Sequence, residues 1–411
     1  MGISKNRYIN ELFVRLSLSK PYQTSVSLTF SLRQALTDRV FRDALIKVNL
    51  QLLLVLLLSV VVHAQKAASW EMRGFVKPPF NPIMQADSSY TFFCPVKKEM
   101  VQWQKADVFN PAAIVRKGKV YILFRAEDIP GTAIGMRTSR IGLAVSNDGI
   151  HFTKMKDPVL YPDNSEFLQY DYPGGCEDPR IVEKKDGTYV LLYTSWNRDV
   201  ARLSVATSPD LVHWKKHGPA FAKAYKGKFL NTWSKSGSVV TKMVNRKIVA
   251  AKVNGKYWMY WGENPMYLAH SENLVDWTPV VNEQQELFVA MKPREKKFDS
   301  HLTEPGPPAL ITDKGILLLY NGKNIENENA DPAIPKGTYC GGQALFDLKD
   351  PSKLIARCDN YFIKPDLLHE IKGQYQAGTT FIEGLVFFKG KWFLYYGTAD
   401  SMVGVAVKST K

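Results

Sequence analysis

A single pattern returns five times along this chain: a glycine-containing turn, an apolar-aromatic strand, then a polar tip. It reads GKVYILFRAED from Gly118, GTYVLLYTSWN from Gly187, GKYWMYWGEN from Gly255, GILLLYNGKN from Gly315 and GKWFLYYGTAD from Gly390. The five opening glycines are nearly evenly spaced. A second pattern follows the first three copies: AVSNDGIHF, ATSPDLVHW and AHSENLVDW, in which Ser146, Ser208 and Ser271 keep an almost constant interval. Another strand precedes each glycine turn, as in NPAAIVRKG and EDPRIVEKKDG. The alternation of Val120, Ile122 and Phe124, and of Tyr189, Leu191 and Tyr193, has the period of two that strands require. Each unit therefore reads as four antiparallel strands in about 68 residues, and five such units predict an all-β, five-bladed β-propeller. No long stretch has helical periodicity. The competing reading is a β-sandwich with a second domain.

The segment 1–64 stands apart from this repeat. Residues 50–62, LQLLLVLLLSVVV, are uncharged and too short for a comfortable membrane span. With Lys47 upstream and Val62-His63-Ala64 downstream they match a signal-peptide core ending near Ala64. The expected division is therefore 1–64, extension and signal peptide, and 65–411, one propeller domain. The expected location is periplasmic or secreted, with no stable membrane span after cleavage. The residues ahead of Lys47 are too many for an ordinary leader. Either the start lies too far upstream or the segment is a signal anchor with a basic tail.

Residues 1–47 carry eight basic and three acidic side chains, so ten of the fifteen surplus positive charges belong to the remainder. There they are scattered, which fits a solvated surface and not a nucleic-acid partner. Export permits disulfides, and one bridge among Cys94, Cys176, Cys340 and Cys358 is an open expectation. The seven histidines form no ligand pattern and there is no GxSxG or phosphate loop, so neither metal nor cofactor is expected.

Innermost propeller strands bring their polar ends to a shared cavity. Here they begin Asn110-Pro111, Glu177-Asp178-Pro179-Arg180, Lys235-Ser236-Gly237 and Thr303-Glu304-Pro305. Second strands end in Arg125-Ala126-Glu127-Asp128, Glu263-Asn264 and Ala399-Asp400. Carboxylates 128, 178, 263, 304 and 400 can thus meet in one funnel, and paired carboxyl groups are the equipment of glycoside chemistry. Bland readings stand beside this one. Asp128 and Asp400 sit where aspartate caps turns, Arg180 can pair internally with Asp178, and Trp196 and Trp261 are either sugar-stacking or core residues.

These segments resemble glycoside hydrolase family 130, the propeller mannoside phosphorylases and β-mannosidases. FNPAAIVRKGKVYILFRAED, SRIGLAVSNDGIHF, GGCEDPRIV and YYGTADSMVGVAV carry the resemblance over residues 75–407. It implies that Asp178 is the general acid, relaying its proton through the mannose 3-hydroxyl. Asn110, Arg125, Asp128 and Asp400 would grip the mannose, with Arg140 and Arg180 further substrate-binding candidates. Self-association through extensions such as residues 65–100 is also implied.

The sequence departs from the phosphorylase pattern at three places. Glu263 and Glu304 stand where an arginine and a lysine would hold phosphate, and Asn321 stands where a histidine is common. Each like-charge contact with phosphate would cost on the order of a kcal/mol or more. A carboxylate can instead deprotonate water. The combination is similar to exported Bacteroidetes enzymes that act on β-1,2-linked mannosides. The expected activity is single-displacement, inverting hydrolysis of mannose-containing oligosaccharides, with Glu263 or Glu304 as the base. The alternative is a β-mannoside phosphorylase releasing mannose 1-phosphate.

Overall fold

The computed structural model describes residues 70–133 and 135–410; the predicted signal segment and cleavage site lie outside them. The unit that carries these residues spans 67–411. Its described residues are nearly all strand and turn, with one helical turn, Leu168–Asp171, and two short 3-10 turns, Ala224–Gly227 and Leu368–Glu370.

The strands form five consecutive antiparallel meanders. The first runs through Asp107–Arg116, Lys119–Glu127, Ser139–Ser146 and Thr153–Lys154. The second runs through Gly175–Glu183, Tyr189–Trp196, Ala201–Ser208 and Lys215–Pro219. In the third, Gly237–Val244 pairs Lys256–Trp261 at its start and Lys247–Ala250 at its end. Met266–Ser271 and Thr278–Pro279 complete that sheet. The fourth begins with a broken strand, Leu302–Pro305 and Ala309–Ile311, both laid on Ile316–Lys323. Gly306-Pro307-Pro308 makes the break, because the two prolines have no amide to give the ladder. Tyr339–Phe346 and Leu354–Arg357 follow. The fifth has Thr380–Phe388, Lys391–Thr398 and Met402–Ser409.

The outer edge of that last sheet is covered by an early part of the chain. Val76 bridges Val407 and Met84 bridges Val403. Asn81 between them acts as a substitute backbone: its Nδ2 donates to the Val405 carbonyl at 2.8 Å and its Oδ1 accepts the Val405 amide at 3.0 Å. An exposed strand edge is thereby paired. Residues 65–100, expected as an association segment, thus include a strap on the chain's own last sheet.

Five apolar clusters lie between successive meanders. Leu143 packs with Leu191 between the first and second, and Leu203 with Met259 between the second and third. Tyr260 packs with Phe346 between the third and fourth, and Leu319 with Ile382 between the fourth and fifth. A further cluster joins Val405 of the fifth to Ile122 of the first.

The second sequence pattern is a turn. Ser146 Oγ accepts the Gly149 amide at 2.8 Å, Ser208 Oγ the Leu211 amide at 2.8 Å, and Ser271 Oγ the Leu274 amide at 2.9 Å. Those three amides belong to residues with φ of 84°, 75° and 67°. The serine satisfies an amide that the left-handed backbone turns away from the ladder.

Candidate active site

Two bulges aim the first site residues. The register of the first meander slips between Phe109 and Pro111, and that of the second between Glu177 and Arg180. The extra residues, Asn110 and Asp178, are left-handed at φ 48° and 47°. Each precedes a proline, which has no ladder amide to lose. Ser236 (φ 50°) and Asp400 (φ 53°) adopt the same conformation beside their own strands. Non-glycine residues held this way cost on the order of 1–3 kcal/mol each and cluster where function requires them. Room for Asn110 comes from Gly397, where a Cβ would fall 2.1 Å from Asn110 Oδ1.

Asn110, Asp178 and Asp400 line a cavity of about 310 Å³. Six expected site residues meet there: Asn110, Arg125, Asp178, Glu263, Glu304 and Asp400. Sequence reasoning had left Glu177, Lys235, Trp233, Tyr339 and Tyr375 without a role, and they line it too. Glu177 and Lys235 were visible as polar starts of inner strands. Trp233, Tyr339 and Tyr375 belong to no repeated pattern.

Arg125 organises one side. Its guanidinium donates to Asp178 Oδ1 at 3.1 Å, Glu177 Oε1 at 2.8 Å and Glu127 Oε1 at 2.7 Å. Asp178 Oδ1 also accepts from Asn110 Nδ2 at 2.8 Å, and Lys235 Nζ stands 3.6 Å from Oδ2. Burial disfavours the Asp178 carboxylate, but Arg125, Lys235 and Arg180 outweigh it and hold the group well below the usual range. Glu177 is pushed up to about 7 by burial and by the Asp178 charge, against the pull of Arg125. Asp400 is raised to about 6, by burial first and Asp178 second, with Arg125 opposing.

The other side is acidic. Glu304 accepts a short hydrogen bond from the Ser236 hydroxyl. Burial, then the neighbouring Glu263 charge, raises it to about 7 despite Lys235 and Arg180. Glu263 Oε1 accepts from Trp233 Nε1 at 2.8 Å. Burial works against the charge on Lys235, but Glu263, Asp178, Glu304 and Glu177 together keep it protonated.

Three expected substrate-binding residues lie outside this lining. Asp128 pairs with Arg140 at 3.0 Å and accepts the Thr138 amide at 3.2 Å, capping the end of its strand. Arg140 is buried over the Phe92 ring, 5.2 Å from its centroid. Arg180 is buried against Glu383 at 2.6 Å and the Pro305 carbonyl at 3.0 Å, tying the second meander to the fourth and fifth. Asn321 clamps the backbone of Ile382, donating to its carbonyl at 3.1 Å and accepting its amide at 2.8 Å. Trp196 lines the cavity, whereas Trp261 is fully buried against Phe221 and Tyr267. All four cysteines are buried and free, so the one bridge left open by the sequence is not formed.

Comparison with known proteins bears on this geometry. The family described as beta-1,4-mannooligosaccharide phosphorylase, glycoside hydrolase family 130, matches residues 77–411. A 1,2-beta-oligomannan phosphorylase of Thermoanaerobacter sp. (strain X514) is 32% identical over 318 residues, covering 75% of this chain and 92% of the relative. A solved glycosyl hydrolase from Bacteroides ovatus is 52% identical with a TM-score of 0.82, covering 84% of this chain and 96% of that one. A second solved structure is 51% identical with a TM-score of 0.82, covering 83% and 95%. It comes from work on family 130 glycoside hydrolases that target beta-1,2 mannosidic linkages in Candida mannan.

Proposed function

The chain belongs to glycoside hydrolase family 130, and on that footing we propose that it is an exported, inverting β-mannosidase that hydrolyses β-1,2-linked mannosides. The observation that carries this reading is the charge of the cavity. Five carboxyl groups face two cations, Arg125 and Lys235, among its lining residues. Arg125 is already bonded to three carboxylates, and Lys235 stands among four. A phosphate dianion entering here would meet like charge and spoken-for donors, whereas water needs only a base.

The five meanders are read as five propeller blades. The apolar clusters support this, because they join each meander to the next and the fifth to the first. Export rests on the apolar run 50–62 and cleavage after Ala64.

In this mechanism a mannosyl ring sits against Asn110, Arg125, Asp178 and Asp400. Glu304 takes a proton from water as the water oxygen bonds to the anomeric carbon on the face opposite the leaving group. A base poised near 7 suits that task better than an ordinary carboxylate. Glu263 orients the same water. As the glycosidic bond breaks, Asp178 gives a proton to the 3-hydroxyl, whose own proton passes to the leaving oxygen. Asp178 is ionised in the free cavity, so its proton must come from the pair it forms with Glu177 on one guanidinium. Such a pair titrates as a unit and keeps one proton to about 7.

Purified chain beginning after Ala64, given β-1,2-mannobiose, is expected to release free mannose at the same rate with and without excess phosphate. Mannose 1-phosphate formed only when phosphate is present would establish the phosphorylase reading, which the Thermoanaerobacter relative favours.

A further inference from the structure

Trp233 is half exposed, at 50%, although it lines the cavity, so it forms part of the rim. Its indole N–H is engaged with Glu263 Oε1 at 2.8 Å, and among the described residues this is the hydrogen bond that Glu263 makes. Its neighbour Trp196 is fixed on three sides. Trp196 Nε1 donates to the Gly135 carbonyl at 3.0 Å, a Cβ on Gly174 would strike its ring at 2.1 Å, and its ring meets Trp233 edge-on, centroids 5.7 Å apart at 68°. The two indoles form a corner: one ring is anchored in the wall, and the other leans on it with its remaining surface open.

We propose that Trp233 is the platform on which the leaving sugar stacks and, through its indole N–H, the positioning residue that aims Glu263 at the attacking water. This rests on the hydrolytic reading and adds a residue to it. The buried polar groups around Asp178 receive the mannosyl ring being transferred, so the next ring lies toward the rim. A β-mannosyl ring has the axial hydrogens of C1, C3 and C5 on one face and its axial 2-oxygen on the other. With the C–H face on the indole, the 2-oxygen points away from the ring into the cavity. A 4-linked sugar bound in the same way presents an equatorial oxygen to the side. The platform therefore favours β-1,2 over β-1,4 linkages. Because the same indole holds Glu263, an acceptor that stacks well also steadies the carboxylate used in the chemical step.

Two variants separate the roles. W233F keeps a flat apolar ring and removes the donor. It is expected to lower kcat on β-1,2-mannobiose by about tenfold or more, the scale of a mispositioned catalytic group, with KM nearly unchanged. W233A removes the ring as well and is expected also to raise KM by about tenfold, the scale of one lost stacking contact. It should narrow the preference for β-1,2- over β-1,4-mannobiose by a similar factor, which a loosened loop alone would not do. A W233F enzyme with unchanged kcat would overturn the positioning role. A W233A enzyme with wild-type KM and linkage preference would overturn the platform. A wild-type enzyme that required phosphate would sink the hydrolytic reading and leave the platform to be judged by KM.

Discussion

Carboxyl groups that share this cavity are held in different protonation states by their neighbours. Asp178 is ionised because Arg125 and Lys235 outweigh its burial, whereas Glu304 is buried beside another carboxylate and is raised to about 7. If Glu304 is the base, kcat/KM falls as pH drops below about 7, because the protonated group cannot accept a proton. E304Q should abolish most activity and, in whatever remains, this acid limb. A limb unchanged in E304Q would assign it to another group. The same shift has a stability consequence of known sign. Between the unfolded value near 4.5 and the folded value near 7 the native state holds the extra proton, so this group's contribution weakens as pH rises across that window. Melting curves of E304Q should gain on the wild type above pH 7 and match it below 4.5; a gain independent of pH would contradict the buried charge. Glu263 and Glu304 were readable because each ends or begins a repeated strand. The pairings of Asp128 with Arg140 and of Arg180 with Glu383 were not. Arg140 lies on the next strand and Glu383 on the last meander, and nothing local to Asp128 or Arg180 announces either partner. Trp233 escaped because it stands in a loop outside the repeat.

Strand alternation and glycine turns sufficed to predict the hairpins of the first, second and fifth meanders. The third and fourth are less regular for reasons visible only in space. Gly237–Val244 divides its length between two partners, and the inner strand of the fourth is interrupted by Gly306-Pro307-Pro308. The strap formed by residues 76–84 was also hidden, since its partners, Val403 and Val407, lie near the far end of the chain. Asn81 holds that strap by two side-chain hydrogen bonds to Val405. N81A leaves those backbone groups without protein partners and should cost about 1–3 kcal/mol. Thermal unfolding should show a lowered Tm with kcat unchanged. An unaltered Tm would mean that the strap contributes little to closing the last sheet.

At the scale of the molecule, the cyclic succession of apolar cores explains why polar groups distant in sequence share one cavity. Each meander buries its faces against its neighbours, and polar residues at the starts of their first strands are left to meet in the cavity. Asn110, Asp178 and Glu304 come from three different meanders, and the charge of the cavity is a property of the whole set. The family was legible because its motifs sit at those convergent ends. The proposed platform was not, because Trp233 stands in a loop outside the repeated strands. In the proposed reaction water is the nucleophile. The most direct test is turnover of β-1,2-mannobiose in heavy-oxygen water with excess phosphate, followed by mass analysis of the earliest product. The proposed reaction predicts mannose carrying one heavy oxygen, newly bonded at the anomeric carbon, with no sugar phosphate. Unlabelled mannose 1-phosphate as the first product would contradict it.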